Sequence, residues 1–271
     1  MNLEKIPVTV IVPTKNEESN LRNTLPLLKC FSEVFVVDSN SKDKTKELTI
    51  EYRFNYVEFT WNGRFPKKRN WALMNLPIKN NWVLFLDADE FVTDAFINEL
   101  SKIFKSNFNG YWINYDNYFL NKHIKHGDPM RKLSLFRVGS GMYEKIEEAN
   151  WSNLDMEVHE HPIIEKPIGC MNSHIVHNDF RGLEHYIAKH NEYSSWEASR
   201  YLNMLKKSGL TFRQKVKYSL LYNPLFPLLY FCYSYIVRMG FLDGYRGLIF
   251  NLYKSIYFFQ VFTKIYSIRN K

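Results

Sequence analysis

The chain has 271 residues, 45% of them hydrophobic and 24% charged, which is typical of a folded protein with a large core and excludes a disordered chain. The net charge of +8 is uneven: residues 181–271 hold 14 Lys and Arg against 4 Asp and Glu, whereas residues 1–180 hold 22 against 24. The three cysteines lie far apart, which excludes a disulfide framework and a zinc cluster and fits a reducing compartment. Residues 1–7 contain no apolar signal segment, so we expect that the chain is not secreted.

Short apolar runs alternate with amphipathic stretches over the first hundred residues. The runs that predict strands are residues 8–12, 34–37, 56–59 and 82–86. The stretches that predict helices are residues 21–28, 45–52, 66–76 and 93–104. Strands that alternate with helices form parallel sheets through right-handed crossovers. We therefore predict an α/β fold with a Rossmann-like, mostly parallel sheet flanked by helices.

Polar residues follow three of the predicted strands at their carboxyl ends. They are Thr14, Asn16 and Glu17 after the first strand, Asp38 and Ser39 after the second, and Asp87 and Asp89 after the fourth. The carboxyl ends of parallel strands meet at one edge of a sheet, where open α/β folds bind ligands. We therefore expect a crevice of the nucleotide-binding type. The chain contains neither GxGxxG nor a Walker loop, which argues against a dinucleotide-binding domain and a P-loop NTPase.

Asp87 and Asp89 can share one target, because side chains two residues apart in an extended chain point to the same side. Two carboxylates at such a position suit a hard divalent cation that holds phosphates. The alternative is that Asp89 and Glu90 only begin the helix predicted at 93–104, since acids are common at helix starts. The polar ends of the other strands favour the metal site over helix capping.

The pattern changes beyond Gly110. Residues 111–115 and 133–137 predict two further strands, and residues 182–207 predict a helix. Six of the eight histidines lie between residues 123 and 177.

Residues 215–237 and 247–268 are rich in Leu, Ile, Phe and Tyr, but polar, basic or proline residues interrupt both, so neither predicts a clean membrane span. Tyrosine and basic side chains among apolar ones are typical of helices that lie in the lipid headgroup region. The alternative is a helical cap or a dimer surface. Nucleic-acid binding is disfavoured, because the aromatics do not interleave with a basic groove. We expect peripheral contact with an anionic membrane.

Several motifs in chain order resemble family 2 glycosyltransferases with a GT-A fold, and among these the lipopolysaccharide-core β-1,4-glucosyltransferases. The segments that carry the resemblance are residues 10–18, 37–39, 68–73, 87–89, 135–137 and 158–160, His177 ahead of the 182–207 helix, and residues 238–244. The likeness extends from about residue 7 to residue 250.

The resemblance implies an inverting transfer from a nucleotide-sugar, usually a UDP-sugar, to a hydroxyl of a lipopolysaccharide, capsule or other lipid-linked glycan. It implies that Mg²⁺ or Mn²⁺ offsets the charge of the leaving diphosphate as a Lewis acid. Asp89 is the implied ligand, and Asp87 shares the metal or lies nearer the ribose. His177 is a further candidate ligand, since imidazole suits Mn²⁺ better than Mg²⁺; a buried, hydrogen-bonded histidine is the alternative.

Transfer also needs a general base to take the acceptor proton, and a carboxylate is the usual group. The resemblance points to Glu160, with Asp128 and Glu157 as reserves, and the alternative for each is a plain surface acid. Arg69 is expected to contact the diphosphate, and a solvated helix face is its alternative. The positions expected to contact the nucleotide-sugar are Pro13, Thr14, Asn16, Glu17, Asp38, Ser39, Arg69, Asp87 and Ala88.

We expect a GT-A catalytic domain at residues 1–209, with a nucleotide-binding half at 1–109 and an acceptor-side half at 110–209. A C-terminal helical, amphipathic extension at 210–271 would contact the membrane or a second copy of the chain. The expected location is the cytoplasmic face of the inner membrane. Two alternatives stay open: a polyprenyl-phosphate sugar synthase, and a non-catalytic protein whose basic region binds a membrane or nucleic acid.

Overall fold

The computed structural model describes residues 5–145, 154–155, 162–205 and 212–270. The chain forms two compact units. The first, which we call the sheet unit, comprises residues 1–117 and 130–180. The second, the helical unit, comprises residues 118–129 and 181–271. The functional division that we expect at residue 209 stays a prediction.

The strands alternate with helices along the first half of the chain, as the apolar pattern predicts. In chain order the strands are β1 (Ile6–Thr14), β2 (Phe31–Asp38), β3 (Asn55–Glu58), β4 (Trp82–Phe85), β5 (Glu90–Phe91), β6 (Gly110–Phe119), β7 (Lys122–Ile124), β8 (Met130–Arg137), β9 (Gly141–Tyr143), β10 (Pro162–Ile164) and β11 (Ile168–His177). The helices are α1 (Glu18–Leu27), α2 (Thr45–Glu51), α3 (Lys68–Asn75), α4 (Asp94–Ile103), α5 (Gly182–Leu205), α6 (Phe212–Leu221), α7 (Phe226–Cys232) and α8 (Gly244–Arg269).

The central sheet of the sheet unit has the strand order β3-β2-β1-β4-β8-β6-β11-β5. The pairs β3–β2, β2–β1, β1–β4 and β6–β11 are parallel, whereas β8 lies antiparallel between β4 and β6 and β5 is antiparallel to β11. The prediction of a mostly parallel α/β sheet is therefore confirmed. β9 and β10 form a separate antiparallel pair.

Apolar side chains are buried on both faces of the central strands, because helices cover the sheet from both sides. On one face Val10 packs in a cluster with Leu25 of α1 and Phe96 of α4. On the other face Ile11 packs in a cluster with Ala72 of α3. Since successive side chains of a strand point to opposite faces, this double burial explains the unbroken apolar runs of β1 and β4. It also holds the carboxyl ends of both strands in place.

Helix α4 begins without help from the acids of the 87–90 segment. Thr93 is its N-cap residue, and the Thr93 hydroxyl oxygen accepts a hydrogen bond from the Phe96 backbone N–H at 3.2 Å. Glu90 lies in β5 and pairs with β11. The alternative that Asp89 and Glu90 only begin the helix is therefore wrong, and these carboxylates need another explanation.

The helical unit has its own apolar core. Tyr201 of α5 and Tyr218 of α6 pack with Tyr257 and Val261 of α8. α7 continues as a π-helix (Tyr233–Val237), and a 3₁₀ helix (Gly240–Asp243) precedes α8. Among the described residues no single helix is long and apolar enough to cross a membrane. The helical segments 215–221 and 226–237 have the required length and apolar composition only when they are taken together, and the chain bends by 103° between them.

We predict that Thr93→Ala lowers the free energy of unfolding by about 1 kcal/mol, because it removes the N-cap of α4. The substitution also removes the hydrogen bond that the Thr93 hydroxyl donates to the His174 carbonyl oxygen at 2.9 Å, and this loss adds to the effect of the lost N-cap. Urea titration followed by circular dichroism measures the change. Thr93→Ser, which keeps the hydroxyl, is the matched control, and equal stability of the Ala and Ser variants would contradict the assignment.

Candidate active site

The Asp87-Ala88-Asp89 segment leaves the carboxyl end of β4 in the middle of the sheet. The Leu86 N–H donates to the Ile11 carbonyl oxygen at 3.1 Å, which continues the β1–β4 ladder for one more residue. The Thr24 hydroxyl of α1 donates to the carbonyl oxygen of Ala88. These bonds fix the backbone on both sides of Asp87. The segment that carries the two aspartates is therefore anchored to β1 and α1.

Three carboxylates converge at this point, since Glu90 joins Asp87 and Asp89. One oxygen from each lies within 4.8 Å of the others. Asp89 is 4% exposed and Glu90 1% exposed, so the repulsion between their charges is poorly screened by water. A group of oxygen donors at this spacing has the composition that hard divalent cations require. The residues present therefore fit Mg²⁺ or Mn²⁺.

Two cations lie against the same carboxylates. The Lys132 ammonium of β8 is 2.6 Å from Asp87 Oδ2 and also contacts Glu90 Oε1. The Arg69 guanidinium of α3 is 2.7 Å from Asp87 Oδ1. Three carboxylates thus face two cations, and one negative charge remains when all five groups are ionised.

The protonation of this cluster follows from burial and charge. Burial opposes ionisation of Asp87, but Lys132 and Arg69 outweigh it and hold the Asp87 pKa below its usual value. Burial, with the charges of Asp87 and Asp89, raises the Glu90 pKa despite Lys132. Burial acts to lower the Lys132 pKa, but Asp87 and Glu90 raise it well above its usual value. Lys132 is therefore a permanent cation of the site.

His177 stands beside Asp89. Register pairing of β11 with β5 sets His177 opposite Glu90, and His177 Nε2 lies 3.5 Å from Asp89 Oδ2. The other ring nitrogen, Nδ1, is 3.0 Å from Asn117 Oδ1. An amide oxygen only accepts, so Nδ1–H donates to Asn117, and Nε2 is the ring nitrogen that faces Asp89. His177 therefore lies beside one of the three clustered carboxylates, and its role as a metal ligand stays a prediction.

The first two strand ends form a second polar group on the same edge of the sheet. The Thr14 hydroxyl donates to Asp38 Oδ1 at 2.9 Å, and the Ser41 N–H and the Tyr56 hydroxyl donate to Asp38 Oδ2 at 2.8 and 3.0 Å. Asp38 is fully buried. This carboxylate thus holds the two loops together, and its expected contact with the nucleotide stays a prediction.

The loops after β1 and β2 are also joined through Asn16. Its backbone takes the left-handed conformation (φ 54°), and its N–H donates to the Ser41 hydroxyl at 2.7 Å. The Asn16 side-chain oxygen accepts from the Lys42 N–H at 2.8 Å. The Glu17 N–H donates to the Thr45 hydroxyl at 3.1 Å. Together with buried Pro13, these residues form one connected rim.

A buried lysine links this rim to α3. Lys68 Nζ donates to the Thr14 carbonyl oxygen at 2.8 Å and lies 3.4 Å from Asp155 Oδ2. The Ser39 hydroxyl also donates to Asp155. Burial lowers the Lys68 pKa although Asp155 opposes the shift. Asp155 is thus a residue of the rim that the sequence did not indicate.

Arg69 and Lys68 are both buried on α3, and Arg69 is 9% exposed. The alternative of a solvated helix face for Arg69 is therefore wrong. Its guanidinium lies 5.4 Å from the ring centroid of Tyr143 in addition to its pair with Asp87. Contact with a diphosphate stays a prediction.

The described residues do not test the three candidates for the general base. Glu160 and its reserve Glu157 fall outside the described residues. The other reserve, Asp128, belongs to the helical unit, where its carboxylate lies 3.1 Å from Lys254 Nζ. None of the three assignments is tested by this geometry.

Sequence reasoning missed Lys132, Glu90 as a site residue, and Asp155. The sequence predicts a strand at 133–137, whereas β8 begins at Met130 in the structure. The prediction therefore left out the three residues at the start of β8, and Lys132 is one of them. Glu90 was interpreted as a helix start. Asp155 follows no strand of the described chain, and only the folded structure brings it beside Ser39.

Comparison with known proteins agrees with this architecture. A lipopolysaccharide core biosynthesis glycosyltransferase, LpsC, of Rhizobium meliloti is 25% identical over 97% of this chain and 93% of its own length. An uncharacterized glycosyltransferase of Rickettsia bellii is 23% identical over 97% of this chain and 86% of its own.

Among solved structures, the mannosyltransferase PcManGT of Pyrobaculum calidifontis, determined with GDP-Man and Mn²⁺, has a TM-score of 0.51. It is 16% identical, and the match covers 97% of this chain and 87% of that one, which shows a shared GT-A fold. The family model "Glycosyl transferase family 2" matches residues 9–157, more than half of the chain, including all three polar strand ends. The chain therefore belongs to glycosyl transferase family 2.

Proposed function

We propose that this chain transfers a sugar, with inversion, from a UDP-sugar to a hydroxyl of a lipopolysaccharide, capsule or other lipid-linked glycan. The observation that carries the proposal is the cluster of Asp87, Asp89 and Glu90 beside His177, at the carboxyl ends of parallel strands in a family 2 chain. The similarity to LpsC supports a glycan of the cell envelope as the acceptor.

The transfer joins the acceptor oxygen to the anomeric carbon and breaks the bond between that carbon and the diphosphate. Asp89 and His177 would hold Mg²⁺ or Mn²⁺, which supplies positive charge to the leaving diphosphate when bound. Asp87 would contact the ribose or share the metal, and it is kept in position by Arg69 and Lys132. The acceptor proton would pass to Glu160.

The rim formed by the first two strand ends would hold the nucleotide. The hydrogen bonds of Asp38 with Thr14 and Ser41 fix the loops in advance of binding, so little conformational entropy is lost when the nucleotide binds. Backbone groups of Pro13 and Ala88 and the side chain of Ser39 would complete the pocket. Arg69 would exchange part of its contact with Asp87 for the diphosphate.

We propose the cytoplasmic face of the inner membrane as the place of action. Nucleotide-sugars are charged, and the proposed acceptor is lipid-linked, so the enzyme has to work between water and the membrane. The excess of Lys and Arg over residues 181–271 supports peripheral contact with anionic lipid.

The donor is tested by incubating the purified chain with Mn²⁺ and a panel of UDP- and GDP-sugars. We expect slow hydrolysis of one UDP-sugar in the absence of acceptor, measured as released UDP. An anomeric proton signal of inverted configuration in the product, observed by NMR, would support the stereochemistry. Release of GDP alone, or retention of configuration, would contradict the proposal.

We predict that Asp89→Asn lowers kcat by about 100-fold or more, because it removes the charged ligand of the metal that stabilises the leaving group. The steady-state release of UDP measures the effect. Asp94→Asn, which changes an exposed acid of α4, is the matched control and should keep wild-type activity. A similar decrease in both variants would show that Asp89 has no special role.

We predict that Glu160→Gln lowers kcat for transfer by about 10²–10⁴-fold while UDP binding stays unchanged, because the amide cannot accept the acceptor proton. Glu165→Gln, which changes an exposed acid, is the control and should retain transfer. If Glu160→Gln transfers at the wild-type rate, the base lies at another position.

We predict that Lys132→Met lowers the free energy of unfolding of the metal-free protein by about 2–4 kcal/mol, because it leaves Asp87 and Glu90 without their shared cation. Mn²⁺ should recover part of this loss in the variant, since a divalent cation can take the place of the ammonium between the two carboxylates. Urea titrations with and without Mn²⁺ measure both effects.

Arg22→Met, which breaks an exposed ion pair with Glu18, is the matched control. It should change stability little and show no added response to Mn²⁺. Equal behaviour of the Lys132 and Arg22 variants would contradict the described charge balance.

A further inference from the structure

The segment from Leu225 to Tyr245 of the helical unit, which we call the apolar wedge, exposes an unusual amount of apolar surface. Ten of its large apolar or aromatic side chains are at least 47% exposed, among them Leu228 at 60%, Val237 at 66% and Tyr245 at 76%. Patches of this kind on a folded protein mark a surface that is covered by a partner. The question is which partner fits it.

The excess of basic residues in this part of the chain favours an anionic partner, and Asp128, which hydrogen-bonds to Tyr230 of the wedge, is paired with Lys254 at 3.1 Å. Residues 198–271 contain 12 Lys and Arg and a single acid, Asp243. That acid is buried and accepts hydrogen bonds from the His126 N–H at 2.8 Å, so it offers no exposed negative charge. Arg238 and Arg246, in contrast, are exposed within and next to the wedge. A second copy that docks through the same patch would place the arginines of both copies in one interface, whereas anionic lipid headgroups would neutralise them.

Several backbone N–H groups at the exposed turn of the wedge are bonded internally, which lowers the cost of contact with lipid. The Arg238 N–H donates to the Tyr233 carbonyl oxygen at 2.8 Å, and the Met239 N–H donates to the Ile236 carbonyl oxygen at 3.2 Å. The Leu242 N–H donates to the Met239 carbonyl oxygen at 2.9 Å. The chain can therefore turn at its most exposed point without leaving these N–H groups unsatisfied.

The inner side of the wedge is packed closely against α8. A Cβ atom on Gly240 would lie 2.6 Å from Asn251 Nδ2 and 2.9 Å from the Ser234 carbonyl oxygen. A Cβ atom on Gly247 would lie 2.3 Å from the Gly240 carbonyl oxygen. Only glycine fits at these two positions, so the wedge is held rigidly with its apolar side chains directed outward. Preorganisation of this kind reduces the entropy lost when a surface binds.

We propose that the apolar wedge inserts shallowly into one leaflet of an anionic phospholipid bilayer, with Arg238 and Arg246 at the level of the phosphates. The 103° bend between residues 215–221 and 226–237 suits a segment that enters and leaves on the same side. Tyr233 and Tyr245 have the amphipathic rings that favour the interface. The proposal specifies the membrane contact proposed above and depends on it, but it does not depend on the transfer reaction.

Co-sedimentation of the full chain with phosphatidylglycerol–phosphatidylcholine vesicles tests the proposal in the absence of nucleotide-sugar. We expect binding to these vesicles and at least about tenfold weaker binding to pure phosphatidylcholine. Ile236→Asn with Val237→Asn should weaken binding by roughly tenfold, since both side chains lose their insertion energy. Arg238→Gln with Arg246→Gln should remove most of the preference for anionic vesicles.

The controls are Ile50→Asn, which changes an apolar side chain of the sheet unit that is 57% exposed, and Lys42→Gln with Lys105→Gln, which removes two exposed charges from that unit. Both should bind vesicles as the wild type does, and circular dichroism should show that all variants are folded. Equal binding of wedge and control variants, or no binding of the wild type, would overturn the proposal. A dimer in analytical ultracentrifugation that the Ile236–Val237 variant abolishes would also overturn it, in favour of a second copy.

Discussion

The balance of charge at the end of β4 is the constraint on which the candidate site depends. Asp87, Asp89 and Glu90 are crowded within 4.8 Å in a nearly buried position, where their mutual repulsion would be costly. Lys132 and Arg69 offset two of the three charges. Carboxylate oxygens held at this spacing can bind a divalent cation that carries a nucleotide diphosphate. The proposed reaction therefore depends on the fold, which brings Lys132 of β8 and Arg69 of α3 to the carboxyl end of β4.

Much of this arrangement follows from strand periodicity alone. Apolar runs that end in acids or hydroxyls predicted the sheet, the edge on which Thr14, Asp38, Asp87 and Asp89 meet, and the nucleotide-type crevice. Three other residues of the site were harder to predict. Lys132 lies in the first part of β8, where Arg131 and Lys132 are both basic and the pattern of alternating apolar and polar residues is lost. Glu90 lies in a sequence that is also typical of a helix start. Asp155 comes close to Ser39 only through a contact of long sequence separation, which no local pattern encodes.

The C-terminal half of the helical unit shows a similar limit. Composition predicted an apolar, basic region but treated residues 215–237 and 247–268 as equivalent. Burial varies within each of them: Tyr218 and Tyr257 are buried in the core of the unit, whereas Val237 of the apolar wedge and Phe259 of α8 are exposed. Both segments have similar residues, and only tertiary contacts decide which side chains are covered. The close contacts at Gly240 and Gly247 show where the wedge packs against α8.

The most direct test of the account is electron paramagnetic resonance of Mn²⁺ titrated with the chain in the presence of UDP. Bound Mn²⁺ loses the sharp six-line signal of the free ion, so the loss beyond that caused by UDP without the chain counts occupied sites. The account predicts one bound Mn²⁺ per chain with UDP, and loss of this binding in Asp89→Asn. An undiminished free-ion signal with the wild type, or equal binding by Asp89→Asn, would contradict it.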